Sequence, residues 1–145
     1  MIVGKPVEIL LVEDNKGDIG IIEEVFEEAK IRNKLHVAED GEEAMLYLRG
    51  KGKFSGSLRP DIVILDLNLP NKDGREVLRE IKEDSDLKNI PVVVLTTSNA
   101  EKDILRAYDL HANAYITKPI DFDQFINVVG SLANFWLEIV QLPTK

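Results

Sequence analysis

The sequence predicts a doubly wound α/β domain, a parallel sheet with helices on both faces. Two observations carry the prediction. Five short, β-branched apolar runs punctuate the chain, and apolar residues at helical spacing fill the intervals between them. Strands and helices that alternate in this way build a parallel sheet through right-handed crossovers.

The first run is Val7–Val12 (VEILLV), followed by Ile19, Ile22, Phe26 and Ala29 at helical spacing. The second is Leu35–Ala38 (LHVA), followed by Ala44 and Leu48. A loose segment, Gly50–Pro60 (GKGKFSGSLRP), then reads as a long surface loop with solvated lysines. The third run is Ile62–Leu65 (IVIL), with Val77, Leu78 and Ile81 after it. The fourth is Val92–Leu95 (VVVL), with Ile104, Ala107 and Tyr108 after it. The fifth is Ala114–Ile116 (AYI), and the helical pattern behind it runs through Phe122, Phe125, Ile126, Val129, Leu132, Ala133 and Trp136. Runs one, three and four are nearly continuous, as strands buried on both faces are.

A chain of 145 residues suits one domain. Its apolar fraction of 44% is ordinary for a globular protein and too high for a disordered one. Lys and Arg number 18 against 26 Asp and Glu, a net charge of −8. That balance argues against a nucleic-acid partner and against an anionic membrane surface. There is no cysteine, so disulfides, thiolate zinc sites and thiol nucleophiles are excluded. The segment Met1–Pro6 is wrongly flanked for a signal peptide, and no apolar stretch approaches the ~20 residues of a membrane span. The expectation is a soluble, cytoplasmic protein.

In an open α/β sheet, ligands bind outside the carboxyl ends of the strands, where strand order reverses. The residues that follow each run are therefore the candidates. They are Glu13 and Asp14 after the first, Asp66 and Asn68 after the third, Thr96 at the end of the fourth, and Lys118 and Pro119 after the fifth. If the first and third strands are neighbours, ~4.8 Å apart, three carboxylates crowd together. Such a group repels itself unless a cation or protons intervene. Hard oxygen donors with open positions suit Mg²⁺, and Lys118 adds a second positive charge. The site is built for a divalent cation and an anion that bridges it. An acidic loop after the first strand weakens a flavin or dinucleotide reading, and a P-loop is absent.

Taken singly, each residue has a plainer explanation. Glu13 and Asp14 serve as loop acids or a helix cap, Asp66 as a turn residue, Thr96 as a strand residue, Lys118 as a surface lysine. Their convergence on one end of the sheet is what carries the chemistry. His36 and His111 are expected to be structural.

The segments ILLVEDN, IVILDLNLPNKDG, VVVLTTS and AYITKP, in this order, resemble those of bacterial and archaeal response-regulator receiver domains. The resemblance runs from about Val7 to the helix after Pro119. It implies a five-stranded parallel sheet of order 2-1-3-4-5, the flavodoxin-like (βα)5 fold. It implies that Asp66 is the phosphoacceptor for a histidine kinase phosphohistidine. Mg²⁺ would be held by Asp14, Asp66, the backbone carbonyl of Asn68 and, through a water, Glu13, which stands where relatives more often carry Asp. Thr96 and Lys118 would hold the phosphoryl oxygens, Tyr115 would be the aromatic switch coupled to Thr96, and Lys118–Pro119 would be cis. Gly74 would permit the turn after the third strand. Thr97 stands where some relatives carry a smaller residue, and its branched side chain is expected to slow hydrolysis of the acyl phosphate.

The loop Gly50–Pro60, the stretch NKDGREVLREIK and the tail FWLEIVQLP are similar to those of small stand-alone regulators of cyanobacterial-type phytochrome histidine kinases. The chain is expected to be one receiver domain over 1–145, with a core at about 7–130, a helical extension at about 121–142 and no output domain. The tail is apolar on more than one side, and Val128, Phe135, Leu137 and Val140 are the expected contacts of a homodimer. Two other functions compete. A pseudo-receiver would bind partners without phosphorylation, but it would not need Asp14, Asp66, Thr96 and Lys118 together. A phosphatase with Asp66 as nucleophile would want a second acid where Asn68 stands. The reading is of a signalling phosphoacceptor that catalyses only its own phosphorylation and dephosphorylation.

Overall fold

The computed structural model describes residues 6–28, 32–97, 110 and 112–128. In chain order the elements are β1 (Val7–Val12), α1 (Lys16–Glu28), β2 (Asn33–Ala38), α2 (Gly41–Arg49), β3 (Ile62–Asp66), α3 (Gly74–Glu83), β4 (Val92–Thr96) and β5 (Ala114–Thr117). A helix at 122–128 follows. All neighbouring strands pair in parallel, and their order is β2-β1-β3-β4-β5. The chain leaves β1 for the edge strand β2, then crosses back to β3. The order therefore reverses between β1 and β3, which opens a crevice above their carboxyl ends.

Side chains of a strand alternate between faces, and this splits the core in two. Leu10, Val12, Val63, Leu65, Val92 and Val94 meet Ala44, Met45 and Leu48 of α2 and Val77, Leu78 and Ile81 of α3. Val7, Ile9, Leu11, Ile62, Ile64, Val93, Leu95 and Ile116 meet Ile19, Ile22, Val25 and Phe26 of α1 and Phe125. The Phe26 and Phe125 rings pack edge to face at 6.0 Å, a geometry that sets the electropositive ring edge against the negative face. Deleting a large side chain from such a core costs about 2–5 kcal/mol.

Several sequence expectations are adjusted. β2 begins at Asn33, and β3 and β4 each extend one residue further, so Asp66 and Thr96 close their strands. Gly50–Pro60 is more ordered than a loose loop. Gly50, at φ 61°, caps α2 and returns its amide to Leu46 and Tyr47. A 3-10 turn at Gly52–Phe54 then seats the Phe54 ring 5.2 Å from that of Tyr47, and the Ser57 hydroxyl donates to the Tyr47 carbonyl at 3.2 Å. Val128 packs against the core of its own domain, whereas Ile126, expected inside, is 37% exposed. Val128 is thus partly occupied as a dimer contact. Phe135, Leu137 and Val140 lie outside the described residues, as do Ala29, Ile104, Ala107, Tyr108, His111 and the tail from Val129 on.

Candidate functional site

The sheet register assembles the site. Val12 pairs with Leu65, so Glu13 follows one strand where Asp66 ends the next. Asp66 pairs with Leu95, and Thr96 stands one step beyond. Thr96 pairs with Thr117, and the Lys118 amide donates to the Thr96 carbonyl at 2.7 Å. Four adjacent strands thus bring Glu13, Asp14, Asp66, Thr96 and Lys118 to one end of the sheet. The Lys118–Pro119 peptide is cis, the isomer that the resemblance implies.

Glu13 is wholly buried. Its Oε2 accepts the amides of Asp14 and Asn15 at 3.1 Å each. Its Oε1 lies 2.8 Å from Lys118 Nζ. Asp66 is 2% exposed; its Oδ1 accepts the Asn68 amide at 3.1 Å and its Oδ2 accepts from Lys118 at 3.2 Å. Asp14 is exposed, and one carboxylate oxygen from each of Glu13, Asp14 and Asp66 lies within 4.8 Å of the others. Asn68 is exposed at the start of the loop after β3. Tyr115 lies on β5 beside Val94, half-buried against the α2/α3 side of the core. Its hydroxyl accepts the Ala112 amide at 3.2 Å.

Electrostatics follow from crowding. Burial, hydrogen bonding to Asp66 and the Asp66 charge raise the Glu13 carboxyl to about 7, against the opposing pull of Lys118. Burial disfavours the Lys118 ammonium, but the carboxylates of Glu13, Asp18 and Asp66 outweigh it and push its pKa above the ordinary lysine range. Both shifts describe a site with more negative charge than one lysine balances. Thr96 Oγ1 is fully buried and has no hydrogen-bond partner, which costs about 1–3 kcal/mol in a resting fold. A divalent cation among the three carboxylates and an anion beside Thr96 and Lys118 satisfy both deficits. The donor set therefore fits a hard cation of the Mg²⁺ class.

Sequence reasoning missed one residue of the site and understated another. Asp18, in the first turn of α1, places Oδ2 2.9 Å from Lys118 Nζ. The available signal was its position in the first turn of α1, three residues after the Asn15 cap and close behind β1. Gly74 is more than a turn glycine. It has no left-handed φ, and a Cβ there would overlap the backbone of Asp66 and Leu67. His36, expected to be structural, has its Nε2 3.0 Å from Oε1 of the buried Glu8 at the other end of the sheet.

Residues 9–130 match the response regulator receiver domain. The chain is 49% identical over 138 residues to response regulator Rcp1 of Synechocystis sp., covering 95% of this chain and 94% of that one. Among solved structures it is similar to the phosphorylated cyanobacterial phytochrome response regulator RcpA, with 50% identity, a TM-score of 0.79 and coverage of 92% and 95%. It is also similar to the Mn²⁺-bound form of Rcp1, with 48% identity, a TM-score of 0.78 and coverage of 92% and 96%. With the sheet order, the strand-end cluster and these matches in agreement, the chain belongs to the response regulator receiver family.

Proposed function

We propose that Asp66 accepts a phosphoryl group from the phosphohistidine of a sensor histidine kinase in a Mg²⁺-dependent reaction. The observation that carries the reading is the Lys118 ammonium held 3.2 Å from Asp66 Oδ2, beside the unpartnered Thr96 hydroxyl. In the transfer an Asp66 carboxylate oxygen forms the new P–O bond. The P–N bond to the histidine breaks, and the imidazole nitrogen leaves with the bonding pair. Lys118 offsets charge on the equatorial oxygens, and Thr96 donates a hydrogen bond to one of them. Asp14, Asp66, the Asn68 carbonyl and, through water, Glu13 would hold Mg²⁺, which when bound would supply further positive charge beside the transferred group. Movement of Thr96 toward the phosphoryl group then draws Tyr115 from Ala112 and changes the surface around β5. The protein catalyses no reaction beyond gaining and losing this group.

The similarity to phytochrome response regulators supports a phytochrome-like kinase as partner, and we infer that the two act together in the cytoplasm. Among the described residues no helix is long and apolar enough to cross a membrane. We also propose that the chain acts as one receiver domain with a core at about 7–130, with the apolar pattern of the sequence alone supporting a helical extension at about 121–142. We further infer a homodimer through Phe135, Leu137 and Val140 on the strength of the apolar tail. Phe135→Glu should leave a monomer by light scattering; an unchanged mass would remove the tail as the interface.

Intact-protein mass after incubation with acetyl phosphate and Mg²⁺ tests the central claim. A gain of one phosphoryl group is expected, absent in Asp66→Asn and absent with a chelator. A parent protein that gains nothing would instead support a phosphorylation-independent binding module.

A further inference from the structure

Lys118 touches three carboxylates at once: Glu13 at 2.8 Å, Asp18 at 2.9 Å and Asp66 at 3.2 Å. Two of the three belong to the cluster suited to a divalent cation, and Asp18 does not. The ammonium and the cation therefore draw on the same two carboxylates, Glu13 and Asp66. An ammonium displaced from both, beside a divalent cation, would be repelled toward solvent. Asp18 is the one carboxylate contact it keeps.

Asp18 is held for this part by its local structure. Asn15 Oδ1 accepts the Asp18 amide at 3.0 Å, capping α1 and fixing its first turn above the end of β1. The Asp18 side chain is 20% exposed, so the pair with Lys118 is partly shielded from water. A helix N-terminus favours an acid in any case, and that alone would explain Asp18 without Lys118. The contact at 2.9 Å gives it a second partner, and the two explanations are separable.

We infer that Asp18 is the positioning residue for Lys118, keeping its ammonium at the site when Glu13 and Asp66 turn their oxygens to a divalent cation. The inference rests on the proposed Mg²⁺-dependent phosphoacceptor reading. Asp18 does not touch the transferring group. It neutralises the lysine beside the cation and keeps it within reach of a phosphoryl oxygen.

A double-mutant cycle read by Mg²⁺ affinity tests this, because the non-additive part isolates what Asp18 does through Lys118. Calorimetric titrations would compare the parent, Asp18→Asn, Lys118→Met and the double variant. Asp18→Asn should weaken Mg²⁺ binding about fivefold in the parent, the scale of one partly shielded ion pair. With Lys118 replaced, the same change should cost less than about twofold, the residue of direct charge attraction. Asp18→Glu should recover part of the loss. Equal losses in both backgrounds would overturn the inference and leave Asp18 as a helix-terminus acid. The parent's mass gain with acetyl phosphate, run alongside, judges the broader reading separately. Coupling without phosphorylation would sink that reading and keep the lysine anchor. Phosphorylation without coupling would do the reverse. A parent that binds no divalent cation would end both.

Discussion

Asn71 Nδ2 donates to Asp40 Oδ2 at 2.8 Å, tying the loop that follows β3 to the N-terminus of α2. Asp40 Oδ1 meanwhile accepts the Glu43 amide at 2.7 Å, so one carboxylate caps the helix and clamps the loop. Asn71 takes the left-handed φ of 65° needed to reach it. Gly41 leaves room for Lys72, whose carbonyl an added Cβ would overlap, and Lys72 pairs with Glu80 of α3 at 2.5 Å.

Loss of both roles should cost more than loss of one. Asp40→Ala is expected to destabilise by about 1–2 kcal/mol, since a cap disappears with the clamp. Asn71→Gly keeps the left-handed backbone and should lose under about 1 kcal/mol. Asn71→Ala adds strain of about 1 kcal/mol at positive φ. Urea unfolding gives the order, and an Asn71→Gly loss larger than that of Asp40→Ala would show that the loop, and not the cap, bears the energy.

The metal-free protein should lose stability as pH rises through the acid range. The Glu13 carboxyl stands at about 7 in the fold against 4.5 in the unfolded chain. Between those values the native state holds a proton that the unfolded state has released. Unfolding free energy therefore falls with rising pH across that interval and levels off above it. The loss is about 1–3 kcal/mol. Glu13→Gln should abolish this slope when urea unfolding is compared at mildly acid and mildly alkaline pH in chelator. Saturating Mg²⁺ should reverse it, because the ionised cluster is the form that binds metal. Identical slopes for parent and variant would mean that other groups set the pH dependence.

Gly74→Ala should damage both fold and site. Its Cβ would press on the Asp66 carbonyl and on Leu67, which are backbone and do not yield as a flexible side chain would. Overpacking of this kind costs about 1–3 kcal/mol. The displaced atoms belong to Asp66, the proposed phosphoacceptor, and its neighbour Leu67, so phosphorylation by acetyl phosphate should slow more than that of a surface variant of α3 such as Arg79→Ala. Normal phosphorylation in a destabilised Gly74→Ala protein would confine the glycine to a packing role.

Much of this was legible in the sequence because the signals were local or convergent. Continuous apolar runs marked β1, β3 and β4, and reading the residues after each run placed Glu13, Asp14, Asp66, Thr96 and Lys118 at one sheet end. The rest depends on contacts between distant segments. Asp18 reads as an ordinary helix-terminus acid until Lys118, 100 positions later, is folded beside it. Phe54 reads as a lone aromatic in a Gly- and Ser-rich stretch, and its aromatic partner, Tyr47, lies on α2. Ile126 and Val128 differ by two positions on one helix, and which of them faces the core depends on helix rotation, which periodicity fixes poorly over two turns.

Thr96 presents a conflict between stability and function. Its hydroxyl is buried and unpartnered in the resting protein, and valine has nearly the same shape without the polar atom. Thr96→Val should therefore leave the unphosphorylated protein as stable as the parent or more so, by up to about 1 kcal/mol. The same change removes the donor proposed for the phosphoryl oxygen, so the acyl phosphate should no longer alter Tyr115. Near-ultraviolet circular dichroism or tyrosine NMR before and after phosphorylation would report that loss, beside urea unfolding of the resting form. A variant that is less stable at rest would mean that the hydroxyl is satisfied in solution, and Thr96 would then be a structural residue as well as a ligand for the phosphoryl group.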